Sequence, residues 1–174
     1  MLVCFNTSHL KSYIGKMKYC EVSKIGFSNR QITGNIGLYY ICYKLSRMGW
    51  NVLPTSRNAK GIDIIAYGKQ GEKMLMIQTK GYTKKAAVGP FKDVSEIIAD
   101  FYIVSWNVYT LPVTYILTKE ELKSVLSQHK GVYWAESKDY AKDDFLQRWD
   151  KIGYGFVKNE EIEYITKIDQ ELIK

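Results

Sequence analysis

The chain has 174 residues, is 46% hydrophobic and carries a net charge of +7. This length reads as one domain, 1–174, able to bury about 70% of its unfolded surface without a staple, and a composition this apolar argues against disorder. No apolar run approaches the roughly 18 residues of a membrane span, and the start Met1–Phe5 turns polar at Asn6, too early for a signal-peptide core. Three cysteines, Cys4, Cys20 and Cys42, are odd in number and widely spaced. That pattern suits neither a disulfide framework nor a zinc site and indicates a reducing, cytoplasmic setting.

The charge is unevenly spread. Residues 1–60 hold nine Lys/Arg against one acid, residues 61–110 six against five, and residues 111–174 ten against twelve. The basic excess is therefore N-terminal. Such asymmetry suits a polyanionic partner, because cations that neutralise phosphates release counterions, although a solubilising surface has the same composition.

In chain order, residues 1–32 are a weakly periodic basic extension. A helix is predicted over 34–48, with Thr33 as N-cap and Gly49 as its stop. Its apolar residues, widened by Ile36, Tyr39, Tyr40 and Tyr43, predict a largely buried helix with the tyrosines in the core. Three extended runs follow: 50–53, 62–67 and 74–80. The last two are joined by a hairpin turn over 68–72. A short helix is predicted over 92–99, with Phe91, Val94, Ile97 and Ile98 on one side. Two more strands cover 101–104 and 113–117. Thr118 and Glu121 have capping-box spacing at the start of another helix. Val132–Trp134 is a strand candidate, and 138–150 reads as a final amphipathic helix with Tyr140, Phe145 and Trp149 as its aromatics. The order α-β-β-β-α-β describes a mixed sheet flanked by helices.

The chemistry concentrates between residues 54 and 80. Asp63 interrupts an apolar strand, a costly place for a carboxylate unless a cation or donors compensate. Gln78 and Lys80 are two apart on a strand and project from one face. Hairpin pairing brings their strand beside Asp63. Asp63 and Gln78 are hard oxygen ligands of the kind Mg²⁺ takes, and an ammonium beside them suits a water nucleophile or developing phosphoryl charge. Arg57 and Lys60 before Asp63, and Lys84 and Lys85 after Lys80, are candidate phosphate contacts, a solvated loop being the plainer alternative. A structural Asp63–Lys80 pair is the plainer alternative for the centre itself.

Gly61-Ile62-Asp63 followed by Gln78-Thr79-Lys80 resembles the signature of the PD-(D/E)XK nuclease superfamily, in a variant with Gln at the second acidic position. That superfamily includes restriction endonucleases, archaeal Holliday-junction resolvases and some intron-encoded homing endonucleases. Gly34–Gly37 and Gly49–Val52 look like its opening helix and first core strand. The likeness covers residues 33–117, leaving 118–174 as a helical addition. It implies a restriction-endonuclease-like α/β core and an Mg²⁺- or Mn²⁺-dependent DNA endonuclease acting as a homo-oligomer. It also implies Asp63, Gln78 and Lys80 as catalytic residues and Asp63, Gln78 and Thr79 around the metal. One position departs from the pattern: where many members place a helical Glu, this chain has Leu38. With Gln78 also neutral, ligand charge falls and metal affinity with it. A catalytically weakened nucleic-acid-binding protein on the same fold is the alternative.

Overall fold

The computed structural model describes residues 29–55, 61–68 and 73–156. Helix α1 (Arg30–Arg47) opens the described chain. Its N-cap is Asn29 and not Thr33: the Asn29 side chain accepts from the N–H groups of Gln31 and Ile32 at 3.0 and 3.4 Å. Thr33 sits one turn in, where its hydroxyl donates back to the Asn29 carbonyl at 3.2 Å. Helix α1 thus starts four residues earlier than predicted, and its first turn takes Arg30–Ile32 from the expected extension. Residues 1–28, with Cys4 and Cys20, lie outside the described residues. The helix ends as expected, at a Gly49 with φ of 80°, a left-handed position that suits glycine.

Strands β1 (Asn51–Pro54), β2 (Ile64–Tyr67) and β3 (Met74–Gly81) form an antiparallel meander. The chain then builds β4 (Val88–Phe91), a single 3₁₀ turn at Val94–Glu96, and the hairpin partners β5 (Phe101–Trp106) and β6 (Val113–Thr118). β5 lies parallel to β3, completing a five-stranded mixed sheet of order β1-β2-β3-β5-β6. Helix α2 (Lys119–Ser124) follows with the capping box that Thr118 and Glu121 predict. β7 (Ser127–His129) and β8 (Val132–Ala135) join β4 in a second, three-stranded sheet, before the short helix α3 (Ser137–Tyr140) and a 3₁₀ turn at Trp149–Lys151.

Apolar side chains line both faces of the large sheet. Ile41 and Leu45 of α1 pack with Ile64, Ile77, Ile103 and Ile116 on one side. Tyr102, Val104, Tyr115 and Leu117 pack on the other against Val88, Ala135, Tyr140 and Phe145. All of β5 is buried, as befits a strand covered on two faces.

Three predicted features differ. The helix over 92–99 shrinks to the 3₁₀ turn, because Asp93 caps Ser95 at 2.7 Å and the backbone climbs straight into β5. Ile97 is buried there but Ile98 is 40% exposed. The helix over 138–150 is confined to α3. Beyond it the Ile116 N–H donates to the Phe145 carbonyl and Tyr115 bridges Leu146, so this stretch covers the edge of β6. An edge strand's unpaired groups favour such a cover, and Gln147, at φ 52°, breaks helical continuity. Two of the three tyrosines expected in the core lie outside it: Tyr39 and Tyr43 are 63% and 57% exposed, since α1 packs through one face only, while Tyr40 is half-buried and packs against the core.

A close backbone approach joins α1 to β3. A Cβ built on Gly37 meets the Gly81 Cα at 2.8 Å, and one on Gly81 meets the Thr33 carbonyl at 2.8 Å. Gly37→Ala should therefore cost about 1–3 kcal/mol in urea unfolding, overpacking outweighing the better helix propensity of alanine. A variant as stable as wild type would show that this contact yields freely.

A second prediction concerns pH. Burial works against ionised Glu121, but its bonds to Lys151 (2.7 Å) and the Thr118 N–H (2.8 Å) win, holding its pKa below the ordinary 4.5. A lowered folded pKa stabilises above the unfolded value, and that stability is lost as pH falls through the folded value. Glu121→Gln keeps the capping shape, so its stability should decline less than that of wild type between pH 7 and pH 3 in urea melts.

Candidate active site

The site lies where β2 and β3 part. Regular pairing of the two begins at Ile64, opposite Ile77, while β3 runs on to Gly81. Asp63 stands at the fork. Its N–H donates to the Ile77 carbonyl at 2.9 Å. Its Oδ2 accepts from the Thr79 N–H at 2.7 Å and from the Thr79 hydroxyl at 3.2 Å. The carboxylate thus takes the place of a strand partner for the N–H of Thr79. Among the described residues no donor meets Oδ1, which leaves that oxygen for a cation or water.

Alternation along β3 puts Gln78 and Lys80 on the face of Met76, and Thr79 on the face of Leu75 and Ile77 beneath α1. Lys80 is half-buried and makes no ion pair or hydrogen bond with a described residue, so the structural Asp63–Lys80 pair weighed above does not form. Gln78 stands in register with Tyr102 on β5. Burial pushes the Tyr102 phenol up to about 12, and the charge of Asp63 adds to the shift.

A cleft of about 840 Å³ opens at this end of the sheet. Asp63, Thr79 and Lys80 line one wall, the first turns of α1 the other, and Tyr82, Thr83 and Gly89 extend it. The structure thus brings Asp63, Thr79 and Lys80 into a shared space. Gln78 is adjacent in sequence but absent from the lining. Lys84 and Lys85 are exposed just beyond, while Arg57 and Lys60 lie outside the described residues.

Leu38 lines the cleft, as do Arg30, Gln31 and Asn35, which the sequence reading did not single out. A helix start at 34 leaves out Arg30 and Gln31, while Asn35 falls within the predicted helix. The Asn29 cap was the signal that would have shown a helical turn there. Two acids that follow in the chain are engaged elsewhere: Asp93 caps Ser95, and Glu96 accepts from the Lys92 N–H at 2.8 Å. Among the described residues Asp63 is the one acid on the cleft lining, and no cluster of three or more His, Cys, Asp or Glu side chains is placed to hold a metal. Burial raises the Cys42 thiol to about 11, so it is a poor nucleophile. Among the described residues no helix is long and apolar enough to cross a membrane.

No protein-family model matches the chain, and neither does any curated protein. Among solved structures it is similar to the bacterial homing endonuclease I-Ssp6803I, with a TM-score of 0.50 and 14% identity over 72% of this chain and 93% of that one. It also matches the Holliday junction resolvase Hjc of Archaeoglobus fulgidus, an archaeal hyperthermophile, with a TM-score of 0.41 and 15% identity over 59% of this chain and 90% of that one. The fold is restriction-endonuclease-like, a mixed α/β core.

Proposed function

We propose that this chain is a divalent-metal-dependent endonuclease that hydrolyses phosphodiester bonds in DNA. The observation that carries the reading is the fork itself: Asp63 is fixed by two donors from Thr79, keeps Oδ1 open, and shares a cleft with an unpaired Lys80. Homing, restriction and junction-resolving roles are all compatible with this centre.

The donor set is all hard oxygen, which fits Mg²⁺ or Mn²⁺ and no thiophilic metal. Asp63 would hold the ion, with Thr79 beside it adding a neutral oxygen, while Gln78, off the cleft lining, has no ligand role in this arrangement. When bound, the ion polarises a phosphoryl oxygen and acidifies water. The chain's own residues do the rest. Thr79 fixes the rotamer of Asp63. The Lys80 ammonium, with no competing partner, orients the attacking water and offsets charge on the phosphorus-bound oxygens as the water–phosphorus bond forms and the ester bond breaks. Lys84 and Lys85, with Arg57 and Lys60 from the sequence before Gly61, would hold the DNA backbone. One such centre serves one strand, so cutting a duplex calls for two copies, and we infer a homodimer or higher oligomer working in the cytoplasm.

A second reading, a catalytically weakened DNA-binding protein, is favoured by one observation: the helix wall of the cleft presents Leu38 in place of an acid.

Plasmid, branched and single-stranded DNA incubated with Mg²⁺ or Mn²⁺ should be cut, with Asp63→Asn and Lys80→Ala each slower by about 100-fold or more. Equal cleavage by Asp63→Asn, or none by wild type, defeats the nuclease reading. Calorimetric Mn²⁺ titration tests the metal separately. Binding should vanish in Asp63→Asn and tighten in Leu38→Glu, because affinity follows ligand charge. Absence of Mn²⁺ binding in wild type together with intact DNA binding would favour the second reading.

A further inference from the structure

The segment that follows Lys80 is built more firmly than a connecting loop requires. It begins with the Tyr82 N–H donating to the Ser105 carbonyl at 2.8 Å and ends where Val88 pairs with Ala135 in the second sheet. Between these anchors two phenols reach it from below. The Tyr82 hydroxyl donates to the Ala87 carbonyl at 3.0 Å, and the Tyr140 hydroxyl donates to the Ala86 carbonyl. Tyr140 is fully buried and itself accepts from the Trp106 indole N–H at 2.9 Å. Trp106, Tyr115 and Tyr140 form a mutual cluster with ring centroids 4.7–5.7 Å apart. Burial pushes both Tyr82 and Tyr140 up from the ordinary phenol range, so both keep the proton they donate.

What this assembly presents to solvent is short and basic: Thr83, Lys84 and Lys85, all exposed. The Lys85 ammonium rests 5.6 Å from the centre of the Trp106 ring, an attraction that restrains the side chain without consuming its charge. Thr83 lines the cleft together with Lys80 and Asp63. The phenols also engage two carbonyl oxygens that would repel a phosphate if they faced outward. A lysine held in place loses less side-chain entropy on binding than a free one.

Building on the nuclease reading, we infer that residues 83–85 form a preformed ridge that grips the phosphate backbone of the bound strand beside the cleft, and that Tyr140 and Tyr82 are positioning residues for it. Tyr140, fully buried, touches no substrate, and through their carbonyl bonds the two tyrosines fix the height and orientation at which Lys84 and Lys85 meet phosphates.

The test is DNA binding by the full chain in EDTA, where no strand is cut, measured across a salt series. Replacing both lysines with Ala should flatten the slope of log affinity against log salt by about 1.8 for duplex DNA, two phosphate contacts' worth. Tyr140→Phe keeps the ring but neither hydroxyl bond, and should weaken binding by about three- to tenfold. In the chain that already lacks both lysines, the same change should have no further effect. Simple loss of stability would act equally in both backgrounds. Tyr82→Phe, which removes one bond only, should give the same pattern with smaller amplitude and serves if Tyr140→Phe does not fold. An unchanged salt slope without the lysines, or a Tyr140→Phe or Tyr82→Phe effect that persists in their absence, overturns the ridge. Wild-type chain that binds and cuts DNA while showing either result would sink this inference alone, whereas wild type with no DNA affinity would sink the nuclease reading with it.

Discussion

Everything near the cleft depends on how closely α1 can approach the end of β3. Two glycines meet there with no room for a Cβ on either, 2.8 Å being far inside any real contact. That closeness puts the first turns of α1 directly across from Asp63, Thr79 and Lys80. Thr33, buried at the same crossing, spans from its own helix to the Tyr109 hydroxyl at 3.1 Å and ties the helix start to the turn after β5. With a larger residue at position 37 or 81 the helix would ride outward and the cleft would lose a wall. Packing of this density transmits small shifts instead of absorbing them, so the geometry of the fork and the stability of the core are set by one contact.

The fork shows how a sheet makes a site. Strands that pair along their whole length satisfy every N–H and C=O and leave nothing for chemistry. Here β2 starts late, and the orphaned Thr79 N–H is met by a carboxylate from the backbone just before it. The acid is therefore fixed by the sheet's own need for hydrogen bonds. Lower down, Asp100 does a similar job without any opening: its Oδ2 accepts from the Met76 N–H at 2.8 Å. Of the two acids that cap β3 amides, the one facing a cleft is the one suited to reaction.

Much of this was legible in the sequence, for identifiable reasons. Residues 101–104 and 113–117 announce strands because both faces of the sheet are covered there and their apolar runs are continuous, 62–67 and 74–80 alternate buried with half-buried positions, and 50–53 falls on an exposed edge strand marked by its short run before Pro54. Thr118 and Glu121 announce a helix start because two side chains satisfy two amides reciprocally. Of the second sheet only its central strand β8 was legible, as the Val132–Trp134 candidate. Val88–Phe91 contains Gly89 and Pro90, which read as breakers, and Ser127–His129 is wholly exposed, so neither has strand periodicity. Residues 138–150 misled in the opposite direction. Tyr140 and Phe145 enter the core from short or irregular backbone whose hydrogen bonds go to the edge of β6, a tertiary demand that spacing alone does not encode. In the site, motif spacing pointed to Asp63 and Lys80, both on the cleft lining, whereas Arg30 and Gln31 depended on a cap one turn earlier than the one assigned. Gln78 shares a face with Lys80 but stands one row further from the open end of β3, in register with Tyr102, and is off the lining.

The scarcity of acid in the cleft has a thermodynamic consequence for the proposed reaction. An oxygen site with one formal negative charge binds a divalent ion weakly, because affinity scales with ligand charge as well as number. A DNA phosphate entering the same space would bring the missing anionic oxygen. Substrate and ion would then complete one another's site, each tightening the other by the same factor, as linkage requires. A Leu at position 38 is consistent with this arrangement: an apolar helix wall neither competes for the ion nor repels the incoming phosphate, as a carboxylate there would. The charge missing from the protein is the charge its proposed substrate carries, and a centre built this way would hold its metal firmly only when there is a strand to cut.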